Sequence, residues 1–473
     1  MYSSQAHRLT AALATAGAAL LIWQAAAAPA PAFKANVTWD EAKPVLDAFR
    51  DQLPAELRGK ARAELKAAWP GWVARSNAEI RARLAHGDED SIVNFWLYGT
   101  SFTTRPRVTG SDVAKLGPAA SAELLPGRLN DLLAGAAAPG ANDRLRFVRE
   151  VIARHGIDLR TAAGHDQAWD YLIDLRTRAI ADNERYQRAG RSAQQIADDD
   201  ARQSAFATLL RDRGLSSDTR IDVDFSLDQA INALSAKGML APRSVRRIAI
   251  VGPGLDFTDK AEGHDFYPLQ TIQPFAVLDS VTRLGLAATG PQMATFDLSP
   301  RVNQHIEAAR SRAQAGAAYV LQLPLDRDTP ARQWIPEMVA YWQNFGARIG
   351  GEVPALTPPA GANVRVRAVR LRREVVLSIT PRDLNIVLER LAPLKDDERF
   401  DLIVATNVLL YYDGFEQALA LGNIAAMLRP GGVFLTNYKV APLAPLEASP
   451  TLVLMAPVDR QGNGDTIFGY LRQ

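Results

Sequence analysis

Three stretches in the C-terminal half carry residue types that could handle a ligand. The first is Val251-Gly-Pro-Gly-Leu-Asp256, which directly follows the apolar run Arg246–Val251. Glycine at the end of a buried strand lets a ligand approach backbone where a Cβ would collide. The second is Met293-Ala-Thr-Phe-Asp297-Leu-Ser-Pro. A carboxylate at a strand tip can accept hydrogen bonds from both hydroxyls of a ribose. Asp297 and Ser299 are equally suited to cap the helix that starts after Pro300, and the two roles can coexist. The third runs from Phe400 through Thr406, Asn407 and Asp413 to Met427-Leu-Arg-Pro-Gly-Gly432 and Asn437. Its first strand ends in Thr406 and Asn407, where open α/β sheets bind ligands, and Pro-Gly-Gly makes a tight turn into the next strand.

Composition removes several other chemistries. The 473 residues include no cysteine, which excludes disulfides, thiolate zinc sites, iron–sulfur clusters and cysteine nucleophiles. The six histidines (His7, His86, His155, His165, His264 and His305) show no i, i+3 or i, i+4 pair, which argues against a histidine-based metal centre. Basic and acidic side chains nearly cancel, 54 against 52, so nothing points to nucleic acid as a partner. An apolar fraction of 47% fits a globular chain, and the length suggests two to three domains.

The elements that must position these residues follow from periodicity. Strand-like runs at Arg246–Val251, Gln292–Leu298, Ala318–Leu323, Val364–Thr380, Phe400–Thr406, Gly432–Thr436 and Thr451–Ala456 alternate with helical stretches. This predicts an α/β fold with a Rossmann-like, doubly wound sheet of mainly parallel strands. Asp459–Gly464 reads as the turn of a final hairpin and gives the sheet an antiparallel edge. The stretch Leu255–Gln273 is long for a strand-to-helix loop and carries Asp256, Asp259, Glu262, His264 and Asp265. It reads either as a lid or substrate loop or as a solvated acidic loop. Trp334, Tyr341 and Trp342 read as core, as do Phe95, Trp96 and Tyr98.

Before Pro242 the chain reads as helices. Thr38 and Glu41 form a capping box, Pro70-Gly71 interrupts a helical pattern, and Ser226 caps the stretch Ser226–Ala236. Further helical stretches are Asp143–His155, Ala168–Arg188 and Gln195–Arg213. Leu9–Trp23 is an apolar run followed by small residues and Pro29, the pattern of a secretory signal peptide or short anchor. The expected organisation is therefore 1–32 signal peptide or membrane anchor, 33–240 all-helical domain, and 241–473 α/β domain. The location is periplasmic, extracellular or inner-membrane anchored, and cytoplasmic if the N-terminal run is no signal. Any membrane association runs through this segment alone.

From Arg246 to the C-terminus, about half the chain, the sequence resembles the class I S-adenosylmethionine-dependent methyltransferases. The stretch Asp401–Asn437 is most similar to the chemotaxis-receptor branch, with Asn407-Val, Tyr411-Tyr-Asp413 and Leu428-Arg-Pro-Gly-Gly432. The resemblance implies S-adenosylmethionine as cofactor and a small-molecule or protein methyl acceptor. It implies Gly252 and Gly254 under the methionine end of the cofactor, Asp297 on the ribose, Asp383 beside the adenine and Asn407 facing the methyl-transfer site. Asp256 stands where the family has a third glycine, and Val251 stands where it often has an acid. Tyr411, Tyr412, Asp413 and His264 are the candidates for a general base. An export signal and a cytosolic cofactor pull apart, so an exported, non-catalytic binding or scaffold protein on the same fold is the alternative. A nicotinamide-dependent oxidoreductase lacks its Gly-x-x-Gly continuation after Gly254.

Overall fold

The structure, a computed structural model, describes residues 33–473 except 198–201, 203–204, 206–209, 211–212, 260–263, 326–332, 360–363 and 442. The expected signal segment, Glu262 and most of the Gln195–Arg213 stretch lie outside the described residues. Among the described residues, no helix is long and apolar enough to cross a membrane.

The central sheet has seven strands: β2 (Val245–Val251), β3 (Ala287–Asp297), β7 (Ile379–Asp383), β9 (Phe400–Ala405), β10 (Leu428–Thr436), β11 (Leu452–Pro457) and β12 (Gly464–Leu471). Their order is β11-β12-β10-β9-β2-β3-β7. The four pairings among β10, β9, β2, β3 and β7 are parallel, and β12 pairs antiparallel with both β10 and β11. The chain winds outward from β2 through β3 to β7, then crosses back to β9. The order therefore reverses between β2 and β9, the place where doubly wound sheets bind ligands. Alternation along each strand splits the core in two. Ile248, Ile250, Leu402 and Val404 face one helical layer, while Ala249, Val251, Ile403 and Ala405 face the other.

Two expected sheet strands lie elsewhere. Ala318–Leu323 contributes β4 (Val320–Pro324) to a separate antiparallel sheet, β4-β6-β5, with β5 (Gly350–Val353) and β6 (Val366–Leu371). The run Val364–Thr380 divides into β6, a short helix Arg373–Leu377, and β7. Both segments carry strand-forming residues, and composition does not say which sheet receives them. Trp334, Tyr341 and Trp342 are buried in the core beside this second sheet.

The N-terminal part contains helices α1 (Trp39–Ala48), α2 (Arg62–Tyr98), α3 (Pro118–Ala137), α4 (Asp143–Arg154), α5 (Ala162–Gln194) and α6 (Asp222–Ala236). It also contains a strand, β1 (Phe33–Asn36), paired antiparallel with β8 (Glu389–Ala392). The capping box forms as expected: the Thr38 amide and hydroxyl both donate to Glu41. Pro70 does not end its helix. Trp69 and Trp72 stack at 4.9 Å and are buried on either side of it. Burying two indoles offsets the ~3 kcal/mol of a mid-helix proline. Ser226 lies inside α6, which begins four residues earlier at Asp222 and packs on β11, β12 and the helix α7 (Gln273–Arg283).

Candidate functional site

At the reversal point, Gly252 and Gly254 follow β2, Asp297 ends β3, and Thr406 and Asn407 follow β9. All five line one cavity, with Phe296, Leu298, Leu384, Ile386, Val408, Tyr411 and Tyr412. Leu84 of α2 and the segment Leu215–Thr219 close it from the N-terminal side. The cavity holds about 100 Å³ of room for water-sized groups, and about 750 Å³ counting its open mouth.

Gly252 and Gly254 both have positive φ, 65° and 62°. The Ser299 amide donates to Asp297 Oδ1 at 2.8 Å, and the Gly252 amide donates to the Phe296 carbonyl at 2.8 Å. Asp297 thus closes a turn onto Ser299, the N-cap of α8 (Pro300–Gln314), while neither Asp297 nor Ser299 makes the side-chain cap expected of them. Burial pushes the carboxyl up to about 6, against the Ser299 amide bond and the nearby Arg301 charge. A ligand hydroxyl reaching Asp297 therefore meets a carboxyl that ionises within the range of ordinary assay pH.

Asn407 adopts φ 58° and is held by a reciprocal pair. Its amide donates to Asn437 Oδ1 at 2.8 Å, and Asn437 Nδ2 donates to Asn407 Oδ1 at 2.8 Å and to Asp465 Oδ1 at 3.1 Å. In the sequence Asn437 stands only as the end of the third stretch, without a role of its own. Its signal was available: Thr436-Asn437 repeats Thr406-Asn407 at the ends of adjacent parallel strands, with Thr436 opposite Ala405. Behind Asn407, Thr406 Oγ1 accepts from Gln273 Nε2 at 2.9 Å.

Two of the expected site residues do not line the cavity. Asp256 is buried behind the loop, where its carboxylate accepts from the Tyr267 hydroxyl at 2.7 Å and Gln270 Nε2 at 2.9 Å. Asp383 sits opposite Asp297 at the end of β7 and pairs with Arg81 at 2.8 Å and Lys34 at 3.7 Å. Its neighbour Leu384 faces the cavity instead.

The long stretch after Asp256 matches neither expectation for it. Phe257 enters the core of the helical part between Phe95 and Phe147, with ring centroids 5.4 and 5.3 Å away. Arg144 of α4 is buried and donates to the carbonyls of Phe257, Tyr267 (2.6 Å) and Asp256 (3.1 Å). Asp265 accepts from the amides of Thr100 and Ser101. The described part of the stretch is a buried dock for helices. Asp256 finds its partners within the stretch, at Tyr267 and Gln270, whereas those of Asp265 lie more than 160 positions away, at Thr100 and Ser101.

Of the candidate bases, Asp413 is spent as the N-cap of α10 (Gly414–Met427), accepting from the Glu416 amide. Burial raises the Tyr411 and Tyr412 hydroxyls above the ordinary phenol range, so both keep their protons at neutral pH. His264 is buried in the docking stretch and does not line the cavity. The arrangement can hold and align a ligand, and among the described candidates named from sequence none is a free base facing the cavity.

No family model and no curated protein matches the chain. Among solved structures it is similar to the CcbJ methyltransferase from Streptomyces caelestis, at 12% identity over 47% of this chain and 54% of that one, with a TM-score of 0.22. It is similar to the magnesium protoporphyrin IX methyltransferase (ChlM) from Synechocystis PCC 6803 with bound SAM, at 11% identity over 59% and 99%, TM-score 0.26. It is also similar to the mitomycin 7-O-methyltransferase MmcR, at 11% identity over 87% and 100%, TM-score 0.27. The chain spans about half the length of the CcbJ structure. The strand order and register, rather than these low scores, carry the fold: a mixed α/β chain around a seven-stranded, mostly parallel, doubly wound sheet.

Proposed function

We propose that the chain is a methyltransferase-like protein that binds S-adenosylmethionine or its demethylated product across the carboxyl edge of the central sheet. One observation carries this reading. The glycines after β2, the acid ending β3 and the asparagine after β9, all singled out by the resemblance, converge on one cavity at the sheet's reversal point. The likeness of Asp401–Asn437 to the chemotaxis-receptor branch supports it from the sequence alone. Methyl transfer needs alignment of nucleophile, methyl and sulfur and exclusion of water, which Asn407, Asn437 and the apolar lining can provide. An acceptor without a proton to lose, such as a carboxylate, needs no general base. The acceptor itself is a small molecule or a protein. Residues 1–32 act as export signal or anchor, which mass spectrometry of the native N-terminus tests.

Calorimetric titration with S-adenosylhomocysteine tests the cofactor. Asp297→Ala is expected to weaken binding at least ~tenfold, since charge-assisted bonds to ribose hydroxyls contribute about 1.5–3 kcal/mol each. No heat and no thermal shift with wild type at millimolar ligand rejects the assignment. The exported, non-catalytic binding or scaffold protein then becomes the reading.

A further inference from the structure

The glycine-loop end of the cavity is already in contact with the chain itself. The Thr219 amide donates to the Leu255 carbonyl at 2.9 Å, and the Leu255 amide donates to the Ser217 carbonyl at 2.8 Å. These bonds make a one-residue parallel bridge between Asp218 and Leu255. A Cβ on Gly254 would stand 2.8 Å from Thr219 Cβ and 3.2 Å from the Ser217 carbonyl. The space that glycine leaves open over this loop is therefore filled by residues 217–219.

The same segment is gripped from its other side. The Leu215 amide donates to the Arg83 carbonyl of α2 at 3.0 Å, and a Cβ on Gly87 of α2 would collide with the Leu215 carbonyl. A side-chain latch completes the grip. Arg301, in the first turn of α8, donates to Ser217 Oγ and pairs with Asp218 at 3.2 Å, both partners buried. Its guanidinium lies 3.9 Å from the Phe147 ring and 4.8 Å from the Phe257 ring.

We propose that Gly214–Thr219 is a strap that occupies the glycine-loop end of the cleft, and that an adenosyl compound with an amino-acid tail binds only when the strap is displaced. A nucleoside without the tail reaches Asp297 past the closed strap. This inference rests on the adenosyl reading of the cleft. It makes ligand length, rather than base identity, the property that the closed site selects.

The full-length chain can test this with two probes, adenosine and S-adenosylhomocysteine, followed by calorimetry. Strands joined by a β-bridge lie ~4.7–4.9 Å apart, within the ~4.4–6.8 Å Cα separation a disulfide spans. The double variant Asp218→Cys with Leu255→Cys can therefore lock the strap to the loop, in a chain with no other cysteine. Oxidised, it is expected to bind S-adenosylhomocysteine at least ~tenfold more weakly than the same protein reduced, with adenosine binding alike in both forms. Arg301→Met keeps apolar bulk between the two rings and removes the latch. It is expected to bind S-adenosylhomocysteine several-fold more tightly than wild type. Equal S-adenosylhomocysteine affinity in the oxidised and reduced forms overturns the strap while leaving the adenosyl site standing. Adenosine binding in every form with no S-adenosylhomocysteine binding in any, Arg301→Met included, overturns the displacement. If neither probe binds any form, the adenosyl reading fails and takes the strap with it.

Discussion

Asp297 shows how one carboxylate serves structure and ligand at once. Its bond from the Ser299 amide fixes the turn that a ligand would cross. Its burial raises the carboxyl to about 6, which disfavours the charge that a ribose would want. The signs follow directly. Ligand hydroxyls donate to the ionised form, so affinity for S-adenosylhomocysteine is expected to fall as pH drops through about 6. Calorimetry at pH 5 and 7.5 measures this, and Asp297→Asn should flatten the dependence. Stability runs the other way. A folded-state value above the unfolded one means the folded chain binds the extra proton between roughly pH 4 and 6, and loses stability as pH rises through that window. Asp297→Asn is therefore expected to raise the melting temperature at pH 7.5, with the gain shrinking toward pH 4. A variant that melts lower at pH 7.5 would show that the ionised carboxylate is a net stabiliser.

The docking stretch after β2 decides how the two parts of the chain meet at the scale of elements. Phe257 fills the helical core and Arg144 satisfies three carbonyls that would otherwise be buried without donors. Phe257→Ala should cost about 3–5 kcal/mol, the range for a deleted buried aromatic ring. Urea unfolding followed by far-ultraviolet circular dichroism reads this as a lower midpoint. An unchanged midpoint would mean that the helices hold together without the plug. The cost should also reach the cleft, because the Arg301 guanidinium that latches the strap lies against the same ring.

Over the whole molecule, the division expected near residue 240 meets a helix that belongs to the sheet. Phe225, Leu227, Ile231 and Leu234 of α6 are buried in the same core as Ile248 and Leu435. A chain beginning at Pro242 would lay that face of the sheet bare, over β11 and β12. It is expected to be insoluble or to unfold without a cooperative transition, whereas a chain beginning at Gly214 keeps α6 and the strap. Expression of both, followed by thermal melting, checks this, and a cooperative melt from the shorter chain would place the boundary after α6. The N-terminal helices also contribute to the cleft, since Leu84 and Leu215–Thr219 form one of its walls.

Local pattern was enough to reveal the parallel strands, their turns and the residues at their carboxyl ends. Gly252, Gly254, Asp297 and Asn407 could be named from sequence because a buried strand followed by glycine or a polar residue has a short-range signature. The Thr38–Glu41 box and the final hairpin were legible for the same reason: their partners lie a few positions away or across one turn. What sequence left open depended on contacts that reach beyond one element's own pattern. Asp256 resembles a loop residue beside a ligand, but Tyr267 and Gln270 draw it inward. Asp383 turns to Arg81 and Lys34, some 300 positions earlier. The strap has an unremarkable sequence, Gly214-Leu-Ser-Ser-Asp-Thr219, and acquires its role only because α2 and the glycine loop close on it from both sides. Periodicity and strand-end chemistry are properties of the local chain, whereas burial, ion pairing and the closing of a cleft arise only once remote elements share the same space.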